Sequence, residues 1–125
     1  MARILIAEDE DSLRALVARA LAQDGHEVTA TCDGGEALEV LTREAGRFDL
    51  LLTDIRMPVM DGIALALATS RDYPDLTILL MTGYADQRER AQGLDALIHD
   101  VVAKPFSLAD ICTAVNGALA ARTVH

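Results

Sequence analysis

Leu50-Leu51-Leu52-Thr53-Asp54-Ile55-Arg56-Met57-Pro58-Val59-Met60-Asp61-Gly62 runs from a short apolar segment through a charged residue into a turn. An apolar run of this length, bounded by turn signals, reads as a buried strand. Pro58 ends regular structure, and Asp61-Gly62 reads as a turn that opens a helix. Asp54 follows directly on the strand. Open α/β sheets do their chemistry at the carboxyl ends of their strands, so Asp54 is the first candidate for a functional residue.

Working outward, short apolar runs alternate with helical patterns along the whole chain. Arg3-Ile4-Leu5-Ile6-Ala7 reads as a second fully buried strand. Leu13, Leu16, Val17, Ala20 and Leu21 fall at helical spacing between Ser12 and Leu21. Gln23-Asp24-Gly25 ends that helix, with Gly25 the expected C′ residue. Glu27 to Thr31 alternates like a strand. Asp33, with Glu36 three residues on, has the form of a capping box, and Ala37, Leu38, Leu41 and Ala45 form one face of the helix it opens. Ile63 to Ser70 carries a third helical pattern, closed by Tyr73-Pro74-Asp75, and Leu76 to Met81 is a further strand. Ala85 to Leu94 is mostly polar and reads as a short, weak helix. The last strand lies within Leu97 to Ala103, where His99-Asp100 interrupts the apolar run. Ser107-Leu108-Ala109-Asp110 is a second capping box, and Leu108, Ile111, Val115, Ala118 and Leu119 share one face of the helix that follows. A βα unit repeated five times implies an α/β fold: a parallel sheet, helices on both faces, right-handed crossovers.

A chain of 125 residues is expected to form one domain with one real core. Apolar content of 51% beside 25% charged residues fits a soluble globular chain. Eleven basic residues against twenty acidic ones leave a net charge of −9. That balance argues against nucleic-acid phosphates, which need clustered Lys and Arg, and favours cations and basic protein surfaces. Cys32 and Cys112 lack metal-ligand spacing and read as reduced, packed thiols of a cytoplasmic protein. The apolar run after Met1-Ala2-Arg3 is too short for a signal peptide or a membrane span. His26, His99 and His125 are isolated and fit neither a phosphotransfer histidine nor a metal ligand.

Parallel strands all end on one side of their sheet, so the residues at those ends should meet. The first strand ends in Glu8-Asp9-Glu10-Asp11, the third in Asp54, the fourth in Thr82 and the fifth in Lys104-Pro105. Two carboxylates about 5 Å apart repel by roughly 3 kcal/mol at an effective dielectric of about 20. A proton or a cation must relieve that. With only oxygen ligands on offer, a hard divalent ion such as Mg2+ is the natural guest, and such an ion commonly grips a phosphate as well. Asp is a competent nucleophile toward phosphorus, Lys104 supplies positive charge for a transferring phosphoryl group, and Thr82 could hydrogen-bond a phosphoryl oxygen. Taken singly, each feature also has a plainer origin: a turn residue, a loop, or a solvated acidic helix start favoured by the macrodipole. Their joint placement at one sheet edge is what favours chemistry.

With these residues in view, the chain resembles the receiver domain of bacterial two-component response regulators over essentially its whole length. The carriers are Ile4 to Asp9, Asp54 to Gly62, Met81-Thr82-Gly83 and Ala103-Lys104-Pro105-Phe106. The resemblance implies a flavodoxin-like (βα)5 fold of three layers with strand order 2-1-3-4-5. It implies one receiver domain over residues 1–122, a tail at 123–125, and no output domain. It makes Asp54 the phosphoacceptor and Asp9 a direct Mg2+ ligand, with Glu8 acting through water and the Arg56 backbone carbonyl as a further ligand. Thr82 becomes the residue that swings toward the phosphoryl group, and Lys104 its contact on an oxygen. The Lys104-Pro105 bond is expected to be cis. The implied partner is a histidine kinase or a histidine phosphotransfer protein, and such a chain catalyses only its own phosphorylation and dephosphorylation.

The family usually carries an aromatic residue three before the lysine, whose ring rotation accompanies the threonine movement. Here that residue is Val101, which has no ring, and Tyr84 either takes over or merely borders the pocket. Arg56 and Tyr84 stand where the family tunes phosphoryl lifetime. Among single-domain receivers, the Leu50 to Gly62 stretch and Val101 before Lys104-Pro105-Phe106 resemble an alphaproteobacterial group. Members of that group prime the ClpXP protease when unphosphorylated, which makes the ClpX unfoldase a candidate partner. The alternatives are a motility-type or phosphorelay-intermediate receiver and a Mg2+-dependent aspartyl-phosphate phosphatase. Phosphatases of that type carry a second Asp where this chain has Arg56.

Overall fold

Strict alternation along the buried strands sorts the core into two layers, one on each face of the sheet. In the computed structural model, which describes residues 2–83 and 97–123, the strands are β1 (Arg3–Ala7), β2 (Glu27–Thr31), β3 (Leu50–Asp54), β4 (Thr77–Thr82) and β5 (Asp100–Ala103). They form one parallel sheet in the order β2-β1-β3-β4-β5. The described helices are α1 (Asp11–Gln23), α2 (Gly34–Arg43), α3 (Gly62–Asp72) and α4 (Leu108–Thr123). The helix expected at Ala85 to Leu94, and Tyr84, lie outside the described residues.

Leu5, Leu51, Ile78 and Leu80 face α2 and α3, where Ala37, Val40, Leu41, Leu65 and Ala66 meet them. Ile4, Ile6, Leu50, Leu52, Leu79 and Met81 face α1 and α4, where Val17, Leu21, Ile111, Val115 and Ala118 close the other layer. Burial on both faces explains why β1, β3 and β4 read as continuous apolar runs. The flanking strands β2 and β5 are less buried. Val101 and Val102 of β5 divide between the two layers. Edge position also explains why His99-Asp100 does not abolish the last strand: the His99 amide already donates to the Ile78 carbonyl at 2.7 Å, and pairing proper begins with Asp100 opposite Leu79.

The helix starts are set by side-chain caps. Asp33 accepts from the Glu36 amide and Asp61 from the Ala64 amide, both at 2.8 Å. Ser107 and Asp110 close a reciprocal box, at 3.0 and 3.1 Å. At Asp33 the Glu36 carboxylate takes the Cys32 thiol at 2.9 Å. Gly25 follows α1 at φ +94, a conformation that favours glycine.

Three expected core positions are corrected. Leu16 is 49% exposed, because the buried stripe of α1 is centred on Val17 and Leu21 and leaves Leu16 at its flank. Leu108 is 41% exposed, being the first residue of α4 and beyond the layer that Ile111 enters. Ala45 is not on the face of α2: the helix stops at Arg43, and Ala45 sits in the turn at φ 54. Val40 occupies the core there instead. No helix among the described residues is long and apolar enough to cross a membrane.

Candidate functional site

The parallel register brings four strand ends level. Ala7 lies opposite Thr53, Asp54 opposite Met81, and Thr82 opposite Ala103. The next residue of each chain segment therefore emerges at one edge, and Glu8, Asp54, Thr82 and Lys104 become neighbours although up to 96 positions separate them. Glu8 continues the line of β1, its amide donating to the Thr31 carbonyl at 3.1 Å, and its side chain is 1% exposed. Asp54 ends β3 and is buried, Thr82 ends β4 and is buried, and Asp9 is exposed.

The loop after Asp54 is closed tightly. The Ile55 amide donates to the Met81 carbonyl at 3.1 Å and the Gly62 amide to the Ile55 carbonyl at 2.7 Å. A Cβ on Gly62 would strike the Asp54 carbonyl, and one on Gly34 would strike the Met60 carbonyl, so two glycines let this loop fold against β3 and α2. At its tip the Met60 amide donates to the Pro58 carbonyl at 2.8 Å across Val59, which adopts φ 69. Positive φ in a β-branched residue is strained, and such strain concentrates at functional loops.

Glu8, Asp9 and Asp54 each offer an oxygen within 4.8 Å of the others. Lys104 Nζ lies 2.9 Å from Asp54 Oδ2 and 3.1 Å from Glu8 Oε1. Its backbone amide donates to the Thr82 carbonyl at 2.7 Å, and the Lys104-Pro105 peptide is cis. An open cavity of about 590 Å3 lies over these groups, lined among others by Asp9, Glu10, Arg56, Gly83 and Pro105. Val101 is half-buried against the α2–α3 layer.

Burial is the largest influence on Glu8 and pushes its carboxyl from 4.5 to about 7. The charge of Asp54 adds to the push, while the Glu10 amide and Lys104 oppose it. Burial works against the Lys104 charge, but the hydrogen bonds and charges of Asp54 and Glu8 outweigh it and hold the ammonium above its usual value. At neutral pH the site therefore contains a full cation beside a carboxyl near its midpoint. The donor set is all oxygen and acidic, crowded enough to need a counter-charge, and it fits a hard divalent ion.

Two partners escaped the sequence reading. Arg14 reaches back to the Glu8 carbonyl, and Lys104 contacts Glu8 as well as Asp54. The spacing of Arg14 three residues after Asp11 signals only their own ion pair, so the contact six positions back had no local signal. A second group, Cys32 with Asp33 and Glu36, lies at the start of α2, where Asp33 is already engaged as a cap. The Glu36 carboxylate beside the Cys32 thiol pushes that thiol's pKa up.

The sequence profile described as response regulator receiver domain matches residues 4–116. Over 121 residues the chain is 40% identical to the response regulator receiver protein CpdR of Brucella abortus (strain 2308), covering 97% of this chain and 99% of that protein. It is 36% identical over 116 residues to the sensor kinase CckA of the same organism, covering 92% of this chain and 12% of the kinase. The fold superposes on a CheY-like receiver domain protein from Methanospirillum hungatei JF-1 with a TM-score of 0.89 at 27% identity, covering 98% of this chain and 97% of that one.

Proposed function

The chain belongs to the response regulator receiver domain family, and on that premise we propose that Asp54 accepts a phosphoryl group from a histidine kinase or a histidine phosphotransfer protein. The observation that carries the proposal is the meeting of Glu8, Asp9 and Asp54 oxygens within 4.8 Å, with Lys104 Nζ 2.9 Å from Asp54. Asp9, Asp54 and the Arg56 carbonyl would hold Mg2+, with Glu8 acting through water. When bound, the ion supplies counter-charge for the carboxylates and for the phosphoryl oxygens.

The protein's own part is nucleophile, cation and donor. An Asp54 carboxylate oxygen attacks phosphorus, the P–N bond of the donor phosphohistidine breaks, and its electron pair stays on the imidazole. Lys104 exchanges its carboxylate contacts for a phosphoryl oxygen, which places its charge where the transferring group is most negative. Thr82, at the end of β4, turns its hydroxyl toward the same group. With Val101 three residues before Lys104, no ring at that position accompanies the movement. The test is mass spectrometry after incubation with acetyl phosphate and Mg2+. The native chain should gain a phosphoryl group and Asp54→Asn should not; normal labelling of Asp54→Asn refutes the assignment.

For output we infer phosphorylation-controlled protein binding in the cytoplasm, in the form of a ClpXP proteolysis adaptor that acts when unphosphorylated. The 40% identity to CpdR, over 97% of this chain and 99% of that protein, is what supports this reading. Immobilised ClpX should retain the free protein and release it when beryllofluoride and Mg2+ are added. Failure to retain the free form refutes the adaptor role and leaves the phosphoacceptor intact.

A further inference from the structure

Four carboxylates in succession, Glu8 to Asp11, leave β1 and enter α1. Mutual repulsion would spread such a loop, so something must hold its backbone. Arg14, in the first turns of α1, has a side chain that is only 21% exposed. Its Nη2 pairs with Asp11 Oδ1 at 2.5 Å, and its Nη1 donates to the Glu8 backbone carbonyl at 2.9 Å. The first contact is an ordinary pair within one helix. The second crosses six positions and fixes a backbone group at the mouth of the site.

That carbonyl belongs to the peptide unit joining Glu8 to Asp9. The unit is planar, so fixing the direction of its carbonyl fixes the rotation of the whole plane. A carboxylate-bearing residue stands at each end of it. The contacts on the rest of Glu8 leave this carbonyl alone: its amide goes to Thr31, its Oε2 accepts from the Glu10 amide at 3.0 Å, and its Oε1 accepts from Lys104. The guanidinium can reach the carbonyl and Asp11 together because its donors are spread over a rigid planar fork.

We propose that Arg14 is a positioning residue for the metal site, locking the Glu8–Asp9 peptide so that both carboxylates converge with Asp54. The inference rests on the reading of Glu8, Asp9 and Asp54 as that site. It makes a counterintuitive demand. As a bare charge, Arg14 repels a divalent cation, and its removal would tighten binding. As a positioning group, its removal weakens binding, because the ligands must be ordered again each time.

Isothermal titration with Mg2+, at a temperature where every variant is folded by its urea curve, separates the two. Arg14→Gln should weaken the Mg2+ Kd about tenfold, the usual cost of losing a group that orients a ligand, and Arg14→Lys should weaken it nearly as much despite keeping the charge. Asp11→Asn breaks the helix pair but spares the carbonyl contact, and its Kd should stay within about twofold. In metal-free NMR spectra the Asp9 amide should move in both Arg14 variants. Tighter or unchanged binding by Arg14→Gln overturns the inference while leaving the metal reading standing. A native chain that binds no Mg2+ overturns both.

Discussion

Replacing Glu8 by Gln should remove a pH dependence that the native chain cannot avoid. Glu8 is 1% exposed and its carboxyl is pushed from 4.5 to about 7, chiefly by burial. In the unfolded chain it loses its proton near the ordinary value, and in the folded chain only near 7. Between those limits the folded state holds the extra proton, so stability falls as pH rises through the window and the full cost is present above it. At about 1.4 kcal/mol per pH decade, the lift is worth about 3 kcal/mol. Gln resembles the protonated acid in shape and is neutral throughout. In urea titrations with EDTA, the native chain should lose about 2.5 kcal/mol relative to Glu8→Gln between pH 5 and 8, the first part of the lift being spent below pH 5. That corresponds to a relative shift of about 1 to 2 M in the urea midpoint. Saturating Mg2+ should recover part of this loss in the native chain alone, since it favours the ionised carboxyl. Parallel stability curves for the two proteins over this range would refute the upward shift that burial gives the Glu8 carboxyl.

Other positions give simpler outcomes. Gly34→Ala drives a Cβ into the Met60 backbone carbonyl, which cannot yield as a side chain would, and should cost about 2 kcal/mol by urea denaturation. Among the described residues Thr69 Oγ1 is buried without a hydrogen-bond partner, so Thr69→Val should stabilise the fold by about 1 kcal/mol. Among the described residues a Cβ on Gly117 meets nothing within 4 Å in the middle of α4, and Gly117→Ala should raise stability by about 0.5 to 1 kcal/mol, read as an increase in Tm.

Much of the framework was legible because it depends on local pattern. Apolar runs at Ile4 to Ala7, Leu50 to Leu52 and Ile78 to Met81 mark strands buried on both faces. Asp33, Asp61 and Ser107 mark helix starts through caps that reach only three residues ahead. Once the strands are parallel, the placement of Glu8, Asp54, Thr82 and Lys104 at one edge follows from topology. Periodicity was less able to say how wide a buried stripe is. It assigned Leu16, Leu108 and Ala45 to core faces that, in the folded chain, end one residue or one turn short of them.

What the sequence determined by itself was the order of elements, the sheet they make and the residue types gathered at its carboxyl edge, because each follows from short-range propensity and from the geometry of parallel crossovers. Only the tertiary structure decided how those groups act on one another. That Lys104 spans Asp54 and Glu8, that Glu8 is buried deeply enough to hold its proton toward neutrality, and that Arg14 grips the peptide between two carboxylates are through-space facts. They depend on distances of about 3 Å between residues as many as 96 positions apart, and on the loss of water around them, which no local pattern encodes.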